Sequence, residues 1–290
     1  MNWPVNGITL IDHPVYAVAD LDASRRTWGS LGFTVPPRGS HIEWGTGNLC
    51  IMFPDDYLEM RGIADPTKFL MHLEEHLEEH GEGLMGVAFA TEDVHRSYQD
   101  MLANGVDTAE PRKLTRNFEH PEGWTKPSFE LCVPAASDIE GLMHVVVIQH
   151  LTPELLRRDD FLRHDNGAVG INSMTGVIFN AESAATKHAR LFGAAAVNHD
   201  GGNVRITTPS GQFIDLMPPD EFSAEYGFMP AHDDLPSLGA LEIRVSNLDT
   251  TRDVLERNGI PNTTLTDGRI RVEPEHAQGS VLDFSDRMPG

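Results

Sequence analysis

The chain has 290 residues, 40% hydrophobic and 23% charged, which is the balance of a globular protein with one large or two ordinary domains. A net charge of −22 repels phosphate backbones and anionic lipid, so neither nucleic acid nor a membrane surface is expected as a partner. No run approaches the roughly 20 apolar residues of a membrane span, and residues 1–4 lack the basic, apolar start of a secretory signal. With only Cys50 and Cys132 there is no disulfide framework, and a cytoplasmic protein with two buried thiols is expected.

Along the chain one pattern recurs: an alternating strand, a polar cap, an amphipathic helix, a glycine stop and further short strands. The first copy predicts a strand over 11–18, Asp20 as cap, a helix over 21–31 ending at Gly32, and strands near 41–44, 48–53 and 57–60. Residues 65–80 read as a separate helix with Pro66 in its first turn and Gly81 as stop. His72, His76 and His80 recur every four residues and share one face of it, which is expected to be solvated. The second copy predicts a strand over 84–90, Asp93 as cap, a helix over 94–104 ending at Gly105, and strands over 128–133 and 144–150. A polar connector follows over 151–167, where the domain boundary is placed. The third copy predicts a strand over 173–179, a helix over 183–192 stopped by Gly193, and strands over 203–207 and 213–217. The fourth predicts a strand over 238–245, a helix over 249–258 stopped by Gly259, and strands over 269–273 and 281–284.

Each copy is a β-α-β-β-β module whose half-apolar sheet cannot bury itself alone. The expected fold class is α+β: four modules paired into two cup-shaped eight-stranded sheets, over residues 1–155 and 165–290.

In such a cup the first and last strands of both modules line the concave face. Aligning the opening strands on their caps sets His13 opposite Gly86. The closing strands supply Glu59 and either Gln149 or His150, and alternation favours convergence of His13, Glu59 and His150. Two imidazoles and a carboxylate leave coordination positions free on a divalent ion, a set suited to Fe(II), Zn(II) or Mn(II). His41, Trp44, Asn48 and Tyr57 lie on strands bordering the cup. His41 or Tyr57 could act as acid or base, with Trp44 and Asn48 against the substrate. The equivalent positions of the second cup are Ser173, Asp215, Ala240 and Asp283, a poor transition-metal set that points to a structural role.

These segments resemble the glyoxalase-like branch of the vicinal oxygen chelate superfamily over roughly residues 8–168. The resemblance is carried by Ile11-Asp-His-Pro-Val-Tyr-Ala-Val-Ala-Asp-Leu21, Leu31-Gly-Phe-Thr-Val35, His41-Ile-Glu-Trp-Gly-Thr-Gly-Asn48, Tyr57-Leu-Glu59 and Gln149-His-Leu-Thr-Pro-Glu154, with Arg163-His-Asp-Asn-Gly167. It implies paired β-α-β-β-β modules and a divalent metal chelated by neighbouring oxygens of substrate or intermediate. His13 and Glu59 match its metal positions, Gly86 stands where a third ligand is usual, and His150 is the expected replacement. The function expected is a metal-dependent isomerase, lyase or dioxygenase acting on a small vicinally oxygenated molecule, alone or as a homodimer. The alternative is a metal-free protein that sequesters a small ligand.

Overall fold

The computed structural model describes residues 5–42, 44–120, 123–230 and 236–288. Helices form where the sequence supplies an Asx cap. Asp20 accepts from the backbone N–H groups of Asp22 and Ala23 to start α1 (Leu21–Ser30). Asp93, Asn180 and Asn247 do the same for α3 (Val94–Ala103), α4 (Ala181–Phe192) and α6 (Leu248–Arg257). Two further helices, α2 (Leu73–His80) and α5 (Pro219–Tyr226), lie between modules. Among the described residues no helix is long and apolar enough to cross a membrane.

Nine strands make the first sheet: β1 (Ile8–Ala17), β2 (Gly39–His41), β3 (Thr46–Met52), β4 (Tyr57–Ile63), β5 (Gly83–Thr91), β6 (Arg112–His120), β7 (Gly123–Thr125), β8 (Ser128–Cys132) and β9 (His144–His150). Their order is β2-β3-β4-β1-β5-β9-β8-β6-β7, and β2 also pairs with β6, closing the cup on itself. The second sheet holds β10 (Ala168–Val177), β11 (Val197–Asp200), β12 (Asn203–Thr207), β13 (Phe213–Met217), β14 (Ser237–Val245), β15 (Thr263–Thr264), β16 (Ile270–Val272) and β17 (Val281–Ser285). Its order, β11-β12-β13-β10-β14-β17-β16-β15, is the same plan left open. The four modules are therefore present as read. β6, β7, β11 and β15 had not been expected as strands.

The repeat extends to its irregularities. The β1–β5 ladder steps from Ile11–Phe89 to His13–Ala88, leaving Asp12 as an extra residue. The β10–β14 ladder steps from Ile171–Ile243 to Ser173–Glu242, leaving Asn172 extra at the equivalent place.

One apolar core joins the helix faces of both sheets. Trp28, Tyr16 and Leu31 are fully buried in it, each worth roughly 1.5–3 kcal/mol or more of apolar transfer. Phe33 reaches Phe284 across the junction, with ring centroids 6.1 Å apart. Polar contacts fix the register of the halves. The Gln212 side chain accepts from the Ile11 N–H at 2.8 Å and donates to Asp56 at 2.8 Å and to the Ile171 carbonyl at 3.2 Å.

The helix expected over 65–80 begins only at Leu73, because Met71 and His72 adopt left-handed backbone (φ 55° and 60°) and interrupt it. Its histidine face is not uniformly solvated. His72 is exposed, but His76 is buried, its ring 4.7 Å from that of His80 and 6.4 Å from that of His144. Burial lowers the His76 pKa to about 4.

Candidate active site

The closed first cup encloses a cavity of about 250 Å³. One wall is apolar: Phe129, Leu131 and Ile148 pack with Ala88 and Leu114 against Trp44 and Val146. The other carries the polar residues His13, His41, Asn48, Tyr57, Glu59 and Arg116.

His13 is the centre of that wall. Its Nδ1 lies 2.6 Å from Asp12 Oδ1, and its Nε2 faces Glu59 Oε2 and the Tyr57 hydroxyl, each at 3.5 Å. The Tyr57 ring stacks on the imidazole at 4.2 Å. Asp12 reaches this face because it is the bulged residue of β1; strict alternation would send it to the other side. Glu59 is held from both ends, accepting from Asn48 Nδ2 and from the Arg61 guanidinium, each at 2.8 Å.

These contacts set the charges. Burial opposes ionisation of Asp12, but His150 and His13 overcome it and hold the carboxyl far below its usual range. Burial likewise disfavours imidazolium at His13, yet its bonds to Asp12 and Glu59 raise its pKa above 6.5. Glu59 is kept ionised against burial chiefly by Arg61, then by His13. At His41 burial outweighs the Glu59 charge and lowers the pKa to about 4, leaving a neutral imidazole whose Nδ1 lies 2.7 Å from the Thr46 hydroxyl. Burial also pushes the Tyr57 phenol well above 10.

The structure thus brings His13, Glu59, Tyr57, His41, Trp44 and Asn48 around one cavity. Asn48 directs its amide N–H to Glu59, so its place in the site is to position that carboxylate. His150 is where the expectation and the structure part. It also lines the cavity, but its Nε2 lies 3.1 Å from Asp12 Oδ1, the oxygen that holds His13. The register explains this. Glu59 sits beside Val15 on β1, and the matching neighbour on β9, beside Ala88, is Val146, four residues before His150. By the same ladders Asp283 corresponds to Val146. Gly86 cannot carry a third ligand either, since a Cβ there would meet the His144 carbonyl oxygen at 2.4 Å.

The donor set consequently does not fit a resident divalent ion with three protein ligands. Of the three expected donors, His13 Nε2 and Glu59 Oε2 face each other, and a guanidinium already occupies that same Glu59 oxygen. Among the described residues no group of three His, Cys, Asp or Glu side chains is placed to hold a metal. In the second cup Asp215 pairs bidentately with Arg205, and Asp283 with Arg271.

Sequence reading missed Asp12 and Arg116. Arg116 alternates with Leu114 and Phe118 on β6, and all three are buried.

Paired β-α-β-β-β modules enclosing a His–Glu cavity define the vicinal oxygen chelate fold. Residues 11–192, over half the chain, match the family model described as a glyoxalase-like domain, and the chain belongs to that family. A search of curated proteins gave no significant match. Among solved structures the chain is similar to a hypothetical protein from Staphylococcus aureus (TM-score 0.68, 12% identity, 95% of this chain and 98% of that one). It is also similar to a triple mutant of 4-hydroxymandelate synthase from Streptomyces coelicolor (TM-score 0.62, 13% identity, 96% and 92%). A third is a fusion of a xylose isomerase-like TIM barrel with 4-hydroxyphenylpyruvate dioxygenase (TM-score 0.59, 13% identity, 97% of this chain but 49% of that one). At these identities the likeness is one of fold.

Proposed function

We propose that the chain is an enzyme that holds a small oxygenated organic molecule in its N-terminal cup and moves a proton on it through His13. The observation that carries this reading is the Asp12–His13 pair at the wall of a largely enclosed, half-apolar cavity. Asp12 fixes the proton on Nδ1 and leaves Nε2 toward the cavity. The carboxylates on either side favour the imidazolium, which makes His13 a proton donor to a substrate oxygen. Tyr57 stays a neutral phenol and offers its O–H as a second donor beside the His13 N–H. His41, neutral and tied to Thr46, is the candidate acceptor for a proton leaving carbon. Isomerisation or elimination beside a carbonyl needs only such transfers. The metal dependence expected from the resemblance is not part of this proposal, because only two of its three donors face each other.

The test is solvent-deuterium incorporation into a panel of small hydroxy-carbonyl compounds, followed by proton NMR. Exchange by the wild type, lost in His13→Gln, supports the enzyme reading. Compounds that bind without exchanging would favour sequestration instead.

A further inference from the structure

Arg116 is 3% exposed and lies on β6 beside His41, where the β2–β6 pairing closes the cup. Its Nη1 donates to Cys50 Sγ at 3.0 Å, and its Cζ lies 5.5 Å from the Phe118 ring centroid. Its Nε and Nη2 are buried and have no hydrogen-bond partner among the described residues. Cys50 is no counter-ion, since burial pushes its thiol up to about 11. Three other arginines of the two sheets differ: Arg61 sits on Glu59, Arg205 on Asp215 and Arg271 on Asp283. A buried guanidinium without an ion-pair partner is destabilising on its own.

We propose that Arg116 anchors a carboxylate of the molecule bound in the N-terminal cavity, making the ligand class a monocarboxylate with an apolar body. This rests on the reading that the cavity holds a small molecule. Trp44, Phe129, Leu131 and Ile148 supply the apolar contact surface. The charges argue for a single negative charge on the ligand. Of the charged side chains that line the cavity, Arg61, Arg112 and Arg116 are positive and Glu59 and Glu110 negative, leaving one unit for the ligand to neutralise. A phosphate monoester dianion would exceed it.

The experiment compares acid and amide pairs, 3-phenylpropanoate with 3-phenylpropanamide and butanoate with butanamide, by ligand-observed NMR titration. The proteins are the wild type, Arg116→Met and Arg116→Lys. The wild type should prefer the acid of each pair by about 10- to 100-fold, the range of charge-assisted hydrogen bonds. Arg116→Met should lose that preference while binding the amides as before, and Arg116→Lys should keep part of it. Arg116→Met should also melt at or above the wild-type temperature, since it removes an unpaired buried charge. A Met variant that melts far below wild type marks a structural guanidinium and overturns the assignment. So does a wild type that binds acid and amide alike, a result that leaves the cavity reading standing. Binding of none of the four probes would overturn both.

Discussion

Asp12 Oδ1 lies 3.1 Å from Nε2 of His150, 138 positions away in the chain. This contact directs His150 at a carboxylate, and the same oxygen holds His13. Two of the three side chains that spacing suggests as metal ligands thus both turn to this one buried aspartate.

Asp12→Asn should reduce His13-dependent exchange by roughly 10²- to 10⁴-fold, the usual contribution of a positioned acid–base group. The pH profile carries the more specific signal. A raised His13 pKa means that the protonated form, and a rate depending on it, persists below that pKa and is lost as pH rises through it. Removing the carboxylate should move this limb to lower pH. An unmoved limb in the variant would show that Asp12 does not set the His13 charge.

Asp56 titrates at the junction of the two halves. Burial pushes its carboxyl up to about 8, against the Ile171 N–H and the Arg244 charge, which favour ionisation. The folded pKa is above the unfolded one, so the folded state binds the extra proton between about 4 and about 8, and stability should fall as pH rises through that window. Urea unfolding at pH 5 and pH 8.5 should show wild type losing stability relative to Asp56→Asn. Parallel losses in both proteins would contradict this.

Gly86→Ala should destabilise the fold by about 1–3 kcal/mol, the cost of overpacking, since the new methyl meets backbone at His144 and not a side chain that can swing away. Denaturant midpoints check it. A neutral substitution would mean that β5 and β9 separate easily and that the position can accept a ligand after all.

Chelation should leave the protein as it was. With two facing donors and a guanidinium on one of them, dialysis against EDTA should change neither the melting temperature nor probe binding in the cavity. A stoichiometric ion in the purified protein, with a melting temperature that drops on its removal, would restore the metal-centred reading.

Much of this arrangement was legible from local pattern. Distance to the Asp20 cap sets His13 on the opening strand, the closing-strand pattern sets Glu59, and the strands expected to border the cup carry Trp44 and Tyr57; all four line the cavity. Asp12 was hidden because alternation assigns it to the opposite face, and only a bulge overrides that assignment. Arg116 was hidden because a charged residue between Leu114 and Phe118 breaks the apolar rhythm that marks a strand.

The sequence by itself determined the four modules, their Asx-capped helices and the side chains on each opening strand, because periodicity and capping act over a few neighbouring residues. The tertiary structure alone decided which of those side chains meet. The β5–β9 register set Val146, not His150, at the position matching Glu59, and the β2–β6 closure carried Arg116 to the cavity. Strand register and bulges are settled by pairing between segments far apart in the chain. A shift of one residue there reverses every side chain's face.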